Sequence, residues 1–102
     1  MSKAGTSESV KVKPQQTSQR PRPFKVLLHN DHYTSMEFVV YVLQAIFDKN
    51  GSEAQKIMLN VHQQGIGIAG IYPAAIAETK IDQVHKMAET DGFPLKCSME
   101  PA

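Results

Sequence analysis

Hydrophobic residues recur along this chain in short blocks separated by turn residues. Some blocks have the composition of strands, and in the others the apolar residues are spaced three or four positions apart. Over 23–29 and 65–72 the β-forming and apolar residues predict strands, and the second strand alternates Gly or Ala with Ile. Residues 93–99 predict a third strand, which Pro94 restricts to an edge of the sheet because proline lacks the N–H of a central strand. The glycines of 65–72 indicate a close approach by neighbouring backbone.

Apolar residues spaced three or four positions apart predict helices between these strands. The helices are predicted over 34–50, 52–64 and 73–91. Thr34 with Glu37 fits a capping box at the start of the first helix, and Gly51 is predicted as its C-cap. Ser52 with Gln55 repeats the capping pattern at the start of the second helix.

The predicted element order β-α-α-β-α-β defines an α+β fold, a three-stranded antiparallel sheet with helices on one face. This domain is predicted over 23–102. The segment 1–22 is predicted to be a disordered tail, since its only apolar side chains are those of Met1, Ala4, Val10 and Val12.

Charge and cysteine content narrow the function classes. The 102 residues carry 11 Lys and Arg against 10 Asp and Glu. Five of the basic and one of the acidic residues lie in 1–22, so the tail has a net charge of +4 and the remainder of −3. This balance gives no bulk electrostatic reason to bind nucleic acid or an anionic membrane. A lone Cys97, a polar amino terminus and no apolar run near the roughly 18 residues of a membrane span lead us to expect a soluble, cytoplasmic protein.

Four histidines raise a metal-binding hypothesis, in which His62 and His85 would converge on His29 and His32. A strand end followed by a turn does not force histidines three positions apart to meet, as a helix would. Cys97 has no neighbouring base in sequence, and no phosphate-binding glycine loop or nucleophile elbow occurs. An enzyme is therefore disfavoured, and neither a catalytic residue nor a cofactor is predicted.

A polar turn between the first strand and the first helix is the better candidate for function. Asn30 and Asp31 have two interpretations here, since they can form Asx turns that start the helix or can contact a ligand. His62 borders an apolar helix face, where capping, packing and binding all stay open. The same choice between core packing and binding is open for Met36 and Met58.

Several motifs along the chain together carry a resemblance to a known protein family. They are Lys25-Val26-Leu27-Leu28 with Asn30-Asp31, Tyr33-Thr34-x-Met36-Glu37-Phe38-Val39, Met58-Leu59-x-Val61-His62-x-x-Gly65, Ala77-Glu78-Thr79-Lys80 and Pro94-Leu95. Over about 24–100 the chain resembles the ClpS family of adaptor proteins. Members of that family bind proteins whose first residue is Phe, Tyr, Trp or Leu, the N-degrons, and have no catalytic activity. They hand these proteins to the AAA+ unfoldase ClpA, or ClpC in plastids and some bacteria, for degradation by ClpP.

The resemblance assigns roles to individual residues. Asn30, Asp31 and His62, with His32 beside them, are implied to face the α-amino group of the bound protein. A pocket for its first side chain is implied at Thr34, Met36, Val39, Met58, Val61 and Leu95, where burying an aromatic or Leu side chain is worth about 1.5–3 kcal/mol. Met36 matches the gatekeeper that excludes Val and Ile. Glu78, Thr79 and Lys80 resemble part of the unfoldase-docking surface, and the tail is implied to enter the unfoldase channel.

The chain departs from the family pattern at three places. The family usually reads Asn-Asp-Asp at the turn, and here His32 replaces the second acid, which implies lower affinity or narrower specificity and resembles a divergent second copy of ClpS. Ser35 stands where proline is common, and Pro73-Ala74-Ala75 replaces a hydroxyl cap and an acid. Two alternatives stay open: a regulator or inhibitor that docks the unfoldase without cargo, and a metal-binding protein that uses His29, His32 and His62.

Overall fold

A computed structural model describes residues 21–102, and the predicted tail lies outside the described residues as far as residue 20. The elements are β1 (Pro23–His29), α1 (Met36–Ala45), α2 (Gly51–Gln64), β2 (Ile66–Pro73), α3 (Ala74–Asp91) and β3 (Lys96–Pro101). This order confirms the predicted α+β fold. Within the described part of the chain, none of the helices has the length and apolar character that crossing a membrane requires.

The sheet has the strand order β2-β1-β3, and both pairings are antiparallel. The central strand β1 buries Val26 and Leu28 completely toward the helices, while Leu27 lies on the opposite face. A register shift between Val26 and Leu27 marks a bulge in the β1–β2 pairing. Strand β3 is an edge strand as predicted, but it begins at Lys96, so Pro94 precedes the strand and does not lie in it.

The helices pack on one face of this sheet around a single hydrophobic core. Its largest fully buried side chains are Leu28, Leu43, Val26, Val42 and Val84. Helices α1 and α2 pack against each other, and α3 lies across all three strands. The first two helices form a hairpin, and the loop 30–35 joins β1 to the first of them.

The prediction that Thr34 and Glu37 cap the first helix is wrong. Ser35 is the N-cap, and its hydroxyl oxygen accepts a hydrogen bond from the Phe38 N–H at 3.1 Å. The Thr34 hydroxyl instead donates to a carboxylate oxygen of Asp31 at 2.7 Å, within the loop that precedes the helix. The helix also ends five residues earlier than predicted, at Ala45.

The second helix begins at Gly51, which the sequence assigned to a C-cap, and the predicted Ser52 and Gln55 cap is wrong. Asn50 is the N-cap, and it forms a capping box with Glu53, whose N–H donates to the Asn50 side chain at 2.8 Å. An acid suits this position because its negative charge faces the positive end of the helix dipole. Gly65 ends the helix in the left-handed conformation, with φ of 88°.

Gly67 confirms the predicted close approach of backbone in the second strand. A Cβ at this position would lie 2.7 Å from Cγ2 of Val61 and 3.3 Å from the carbonyl oxygen of Ile57. Only glycine lets β2 approach α2 so closely without displacing Val61.

Candidate functional site

A cavity of about 230 Å³ opens where the loop 30–35 meets α1 and α2. Its lining residues are Asn30, Asp31, His32, Thr34, Met36, Val39, Met58, Val61 and His62. The structure thus brings together nine of the ten residues implied for ligand binding. The tenth, Leu95, is only 3% exposed and packs in the core, and it is not among the residues that line the cavity.

Asp31 organises the loop at the mouth of this cavity. One carboxylate oxygen accepts hydrogen bonds from the backbone N–H groups of Tyr33 and Thr34 at 2.8 and 2.7 Å, and the other accepts from the Thr34 hydroxyl at 2.7 Å. The Asx-turn interpretation of this residue is therefore correct. A carboxylate has about four lone-pair positions, so one is left for a further donor.

The electrostatics of Asp31 favour its charged form. Burial raises the pKa of its carboxyl, but the hydrogen bonds from Thr34 and Tyr33, with a smaller contribution from His32, lower it, and the net pKa lies below its ordinary value. The mouth of the cavity consequently carries a negative charge at neutral and at mildly acidic pH.

Asn30 is tied to the end of α2. Its backbone N–H donates to the carbonyl oxygen of Gly65 at 2.9 Å. Gly65 caps the helix whose last turn carries His62, so this hydrogen bond fixes the loop and the histidine relative to each other. The side chains of Asn30 and His62, which are 32 positions apart in sequence, thereby lie at the mouth of the same cavity.

The other end of the cavity is apolar. Val39, Met58 and Val61 are buried, with exposed fractions of 6, 7 and 2%. Met36 is 44% exposed and lies at the rim, where its flexible side chain borders both solvent and cavity. The cavity is smaller than the roughly 300–1,000 Å³ of pockets that hold drug-sized molecules, so its size suits a single side chain. A polar mouth with hydrogen-bond acceptors above an apolar floor can hold a cationic group bonded to an apolar one.

The other histidines have partners within the fold. Nε2 of His29 lies 2.7 Å from the hydroxyl of Ser98, and burial, with the nearby Lys96, lowers the pKa of this imidazole. Nε2 of His85 accepts from the N–H of Cys97 at 3.0 Å. Cys97 is buried in the core, and this burial raises the pKa of its thiol to about 12, so the thiol stays protonated. Within residues 21–102 no three His, Cys, Asp or Glu side chains group as metal ligands.

The residues implied for unfoldase docking lie on α3. Glu78 and Thr79 are exposed, and the Thr79 hydroxyl donates to the carbonyl oxygen of Ala75. Lys80 has a structural role that the sequence did not predict. Its Nζ donates to the carbonyl oxygen of Ile46, the C-cap of α1, at 2.7 Å and lies 5.2 Å from the centre of the Tyr72 ring.

Sequence reasoning also missed Ser35 as the residue that sets where α1 begins. Serine is a favoured N-cap residue, but so is the preceding Thr34, and the residue types alone do not choose between them. Because Met36 is the first residue of α1, this cap places the rim of the cavity.

The fold and this cavity define a small ligand-binding domain, and comparison with known proteins specifies its family. The family model described as ATP-dependent Clp protease adaptor protein ClpS matches residues 19–98. The protein of Desulfatibacillum aliphaticivorans named ATP-dependent Clp protease adapter protein ClpS is 65% identical over 92 residues, which cover 90% of this chain and 88% of that protein. The ClpS of Oleidesulfovibrio alaskensis is 53% identical over 98 residues, covering 96% of this chain and 94% of that protein.

A solved structure, that of Agrobacterium tumefaciens ClpS2 bound to L-phenylalaninamide, matches with a TM-score of 0.78 and 36% identity. The match covers 81% of this chain and the whole of that chain. This chain therefore belongs to the ClpS family of Clp protease adaptor proteins.

Proposed function

We propose that the cavity binds the free amino terminus of proteins whose first residue is Phe, Tyr, Trp or Leu. The observation that carries this proposal is the arrangement of the cavity, in which acceptors from the loop 30–35 and from α2 meet above a buried apolar floor. The ligand of the related A. tumefaciens protein has the matching chemistry, since phenylalaninamide joins an α-amino group to an aromatic side chain.

The α-ammonium group carries three donors and needs three acceptors when water is excluded. The side-chain oxygen of Asn30, a ring nitrogen of His62 and the remaining lone pair of Asp31 supply them in this proposal. Burial of the first side chain against Val39, Met58 and Val61 contributes about 1.5–3 kcal/mol for an aromatic or Leu side chain and little for a small or polar one.

The protein then acts as an adaptor without catalytic activity, in the cytoplasm, and delivers its cargo to a ClpA-type AAA+ unfoldase. Support for delivery comes from the family, whose description names the Clp protease. The exposed Glu78 and Thr79 on α3 are proposed as part of the docking surface. Lys80 is proposed to support that surface by holding α3 against α1.

A peptide panel that differs only in its first residue tests the proposed function. Calorimetry should show that Phe, Tyr, Trp and Leu peptides bind and that Ala, Ser and Glu peptides bind at least tenfold more weakly, since about 1.4 kcal/mol of lost burial is a factor of ten. Equal affinity across the panel, or binding of none of the peptides, would contradict the proposal.

A further inference from the structure

A second groove lies beside the cavity, between α1 and α2. Its volume is about 310 Å³, and its lining residues are Met36, Glu37, Val40, Gln55 and Met58. Met36 and Met58 line both the cavity and the groove. The two sites are therefore neighbours that share part of their walls, and a chain that is bound at the cavity can reach the groove.

The lining of this groove combines an apolar surface with one acidic group. Met36, Val40 and Met58 supply the apolar part, and Glu37 and Gln55 are exposed at its polar edge. Across residues 21–102 the ion pairs are Lys25 with Glu100 and Lys86 with Asp82, so Glu37 has no cationic partner there. Glu37 also takes no part in capping α1, which Ser35 caps.

An apolar groove that ends at a carboxylate complements a long basic side chain. Lys and Arg bury their methylene stems along apolar surface and keep the charged group at the polar edge. The Glu37 carboxylate can accept a charge-assisted hydrogen bond from that group, and the flexible methionines can adjust to its stem.

The geometry of an extended peptide indicates which residue of the cargo can place its side chain in the groove. Side chains alternate across an extended backbone, so the first and third residues point to the same face, about 7 Å apart. When the first side chain enters the cavity, the third is directed toward the same surface of the protein and the second away from it. A neighbouring site behind a shared wall matches the third residue.

We propose that the groove of Met36, Glu37, Val40, Gln55 and Met58 binds the side chain of the third residue of the cargo and prefers Lys or Arg there. This inference rests on the proposed binding of amino termini at the cavity. It adds a second determinant of cargo choice, which acts among proteins that share the same first residue.

Four peptides that begin Phe-Ala-Ala, Phe-Ala-Lys, Phe-Ala-Glu and Phe-Lys-Ala, and are otherwise identical, test this inference at low ionic strength. Phe-Ala-Lys should bind about two- to fivefold more tightly than Phe-Ala-Ala, the range for one exposed ion pair, and Phe-Ala-Glu more weakly. Phe-Lys-Ala has the same net charge as Phe-Ala-Lys and should lack its advantage, which separates the groove from the general attraction of an acidic domain.

Glu37→Gln should remove the preference for Lys at the third residue, and the matched control Glu89→Gln, on exposed α3 surface, should keep it. If Phe-Ala-Ala binds but the third residue has no effect, or the second has an equal effect, or the preference survives Glu37→Gln, the groove inference is overturned and the proposed function stands. If no Phe peptide binds, the proposed function itself has failed.

Discussion

Asp31 divides its carboxylate between the loop and the mouth of the cavity. Three of its hydrogen bonds hold Tyr33 and Thr34 in place, and its lowered pKa keeps it charged. The structural and the functional interpretations of this residue are thus compatible, because one lone pair is left for a ligand. A second acid at the next position would be free of the loop, and this chain has His32 there instead.

His32→Asp should tighten the binding of Phe and Tyr peptides several-fold at pH 7.5. A carboxylate about 4 Å from an ammonium at a partly screened surface is worth on the order of 1 kcal/mol, and an imidazole supplies no negative charge. Fluorescence anisotropy with a dye-labelled Phe peptide measures the change. Equal affinities for parent and variant at pH 7.5 would mean that position 32 does not face the bound amino terminus.

Met36→Ala should admit peptides that begin with Val or Ile and weaken those that begin with Phe. The unbranched thioether at the rim can yield to a ring or a γ-branched chain but meets a second substituent on Cβ, and its removal also loses contact. Titration of Phe, Val and Ile peptides against parent and variant measures both effects. A folded variant that still rejects peptides beginning with Val and Ile would show that Met36 is not the gatekeeper.

At the scale of elements, hydrophobic periodicity predicted all three strands and three helices in order, but it missed where the first helix ends and which residues cap the first two helices. Thr34 and Ser35 are adjacent hydroxyl residues, and either can cap a helix. In the structure Ser35 accepts from the Phe38 N–H, while Thr34 belongs to the loop and donates to Asp31. A rule based on spacing alone does not distinguish two adjacent residues that can both cap.

The candidate site was predictable only in part from the residues themselves. The polar turn marked Asn30 and Asp31, but the resemblance to a family was needed to bring His62 to them. The hydrogen bond from Asn30 to Gly65, which links the two regions, joins backbone atoms and so leaves no trace in side-chain pattern. Leu95 was implied by the same resemblance, and in this structure it packs in the core.

Lys80→Met should lower the free energy of unfolding by about 1–2 kcal/mol, because it removes a half-buried charge-assisted hydrogen bond to Ile46 and the contact with the Tyr72 ring. Lys86→Met is the matched control, since its ion pair with Asp82 is exposed and should contribute little. Denaturant unfolding measures both. If Lys80→Met is as stable as the parent, Lys80 does not stabilise α1, and docking is left as its role.

At the scale of the whole molecule, charge is unevenly distributed between the basic segment 1–22 and the acidic remainder. The proposed binding residues all lie beyond residue 22, so removing residues 1–20 should leave the affinity for a Phe peptide unchanged. Degradation of a Phe-starting reporter by a ClpA-type unfoldase with its protease should fall, because the family resemblance assigns the tail to delivery. Undiminished degradation would show that this chain does not need its tail to deliver cargo.

The central claim is that the cavity recognises a free amino terminus, and N-acetylation tests it most directly. Acetylation removes the charge and two donors from the amino group while leaving the apolar side chain intact. Calorimetry with a Phe peptide and its acetylated form should show loss of binding on acetylation. His62→Ala should weaken the free peptide by roughly 10–150-fold, as loss of a desolvated charged hydrogen bond of about 1.5–3 kcal/mol requires, with the neighbouring exposed Gln63→Ala as control. Equal affinity for the free and acetylated peptides would contradict the account.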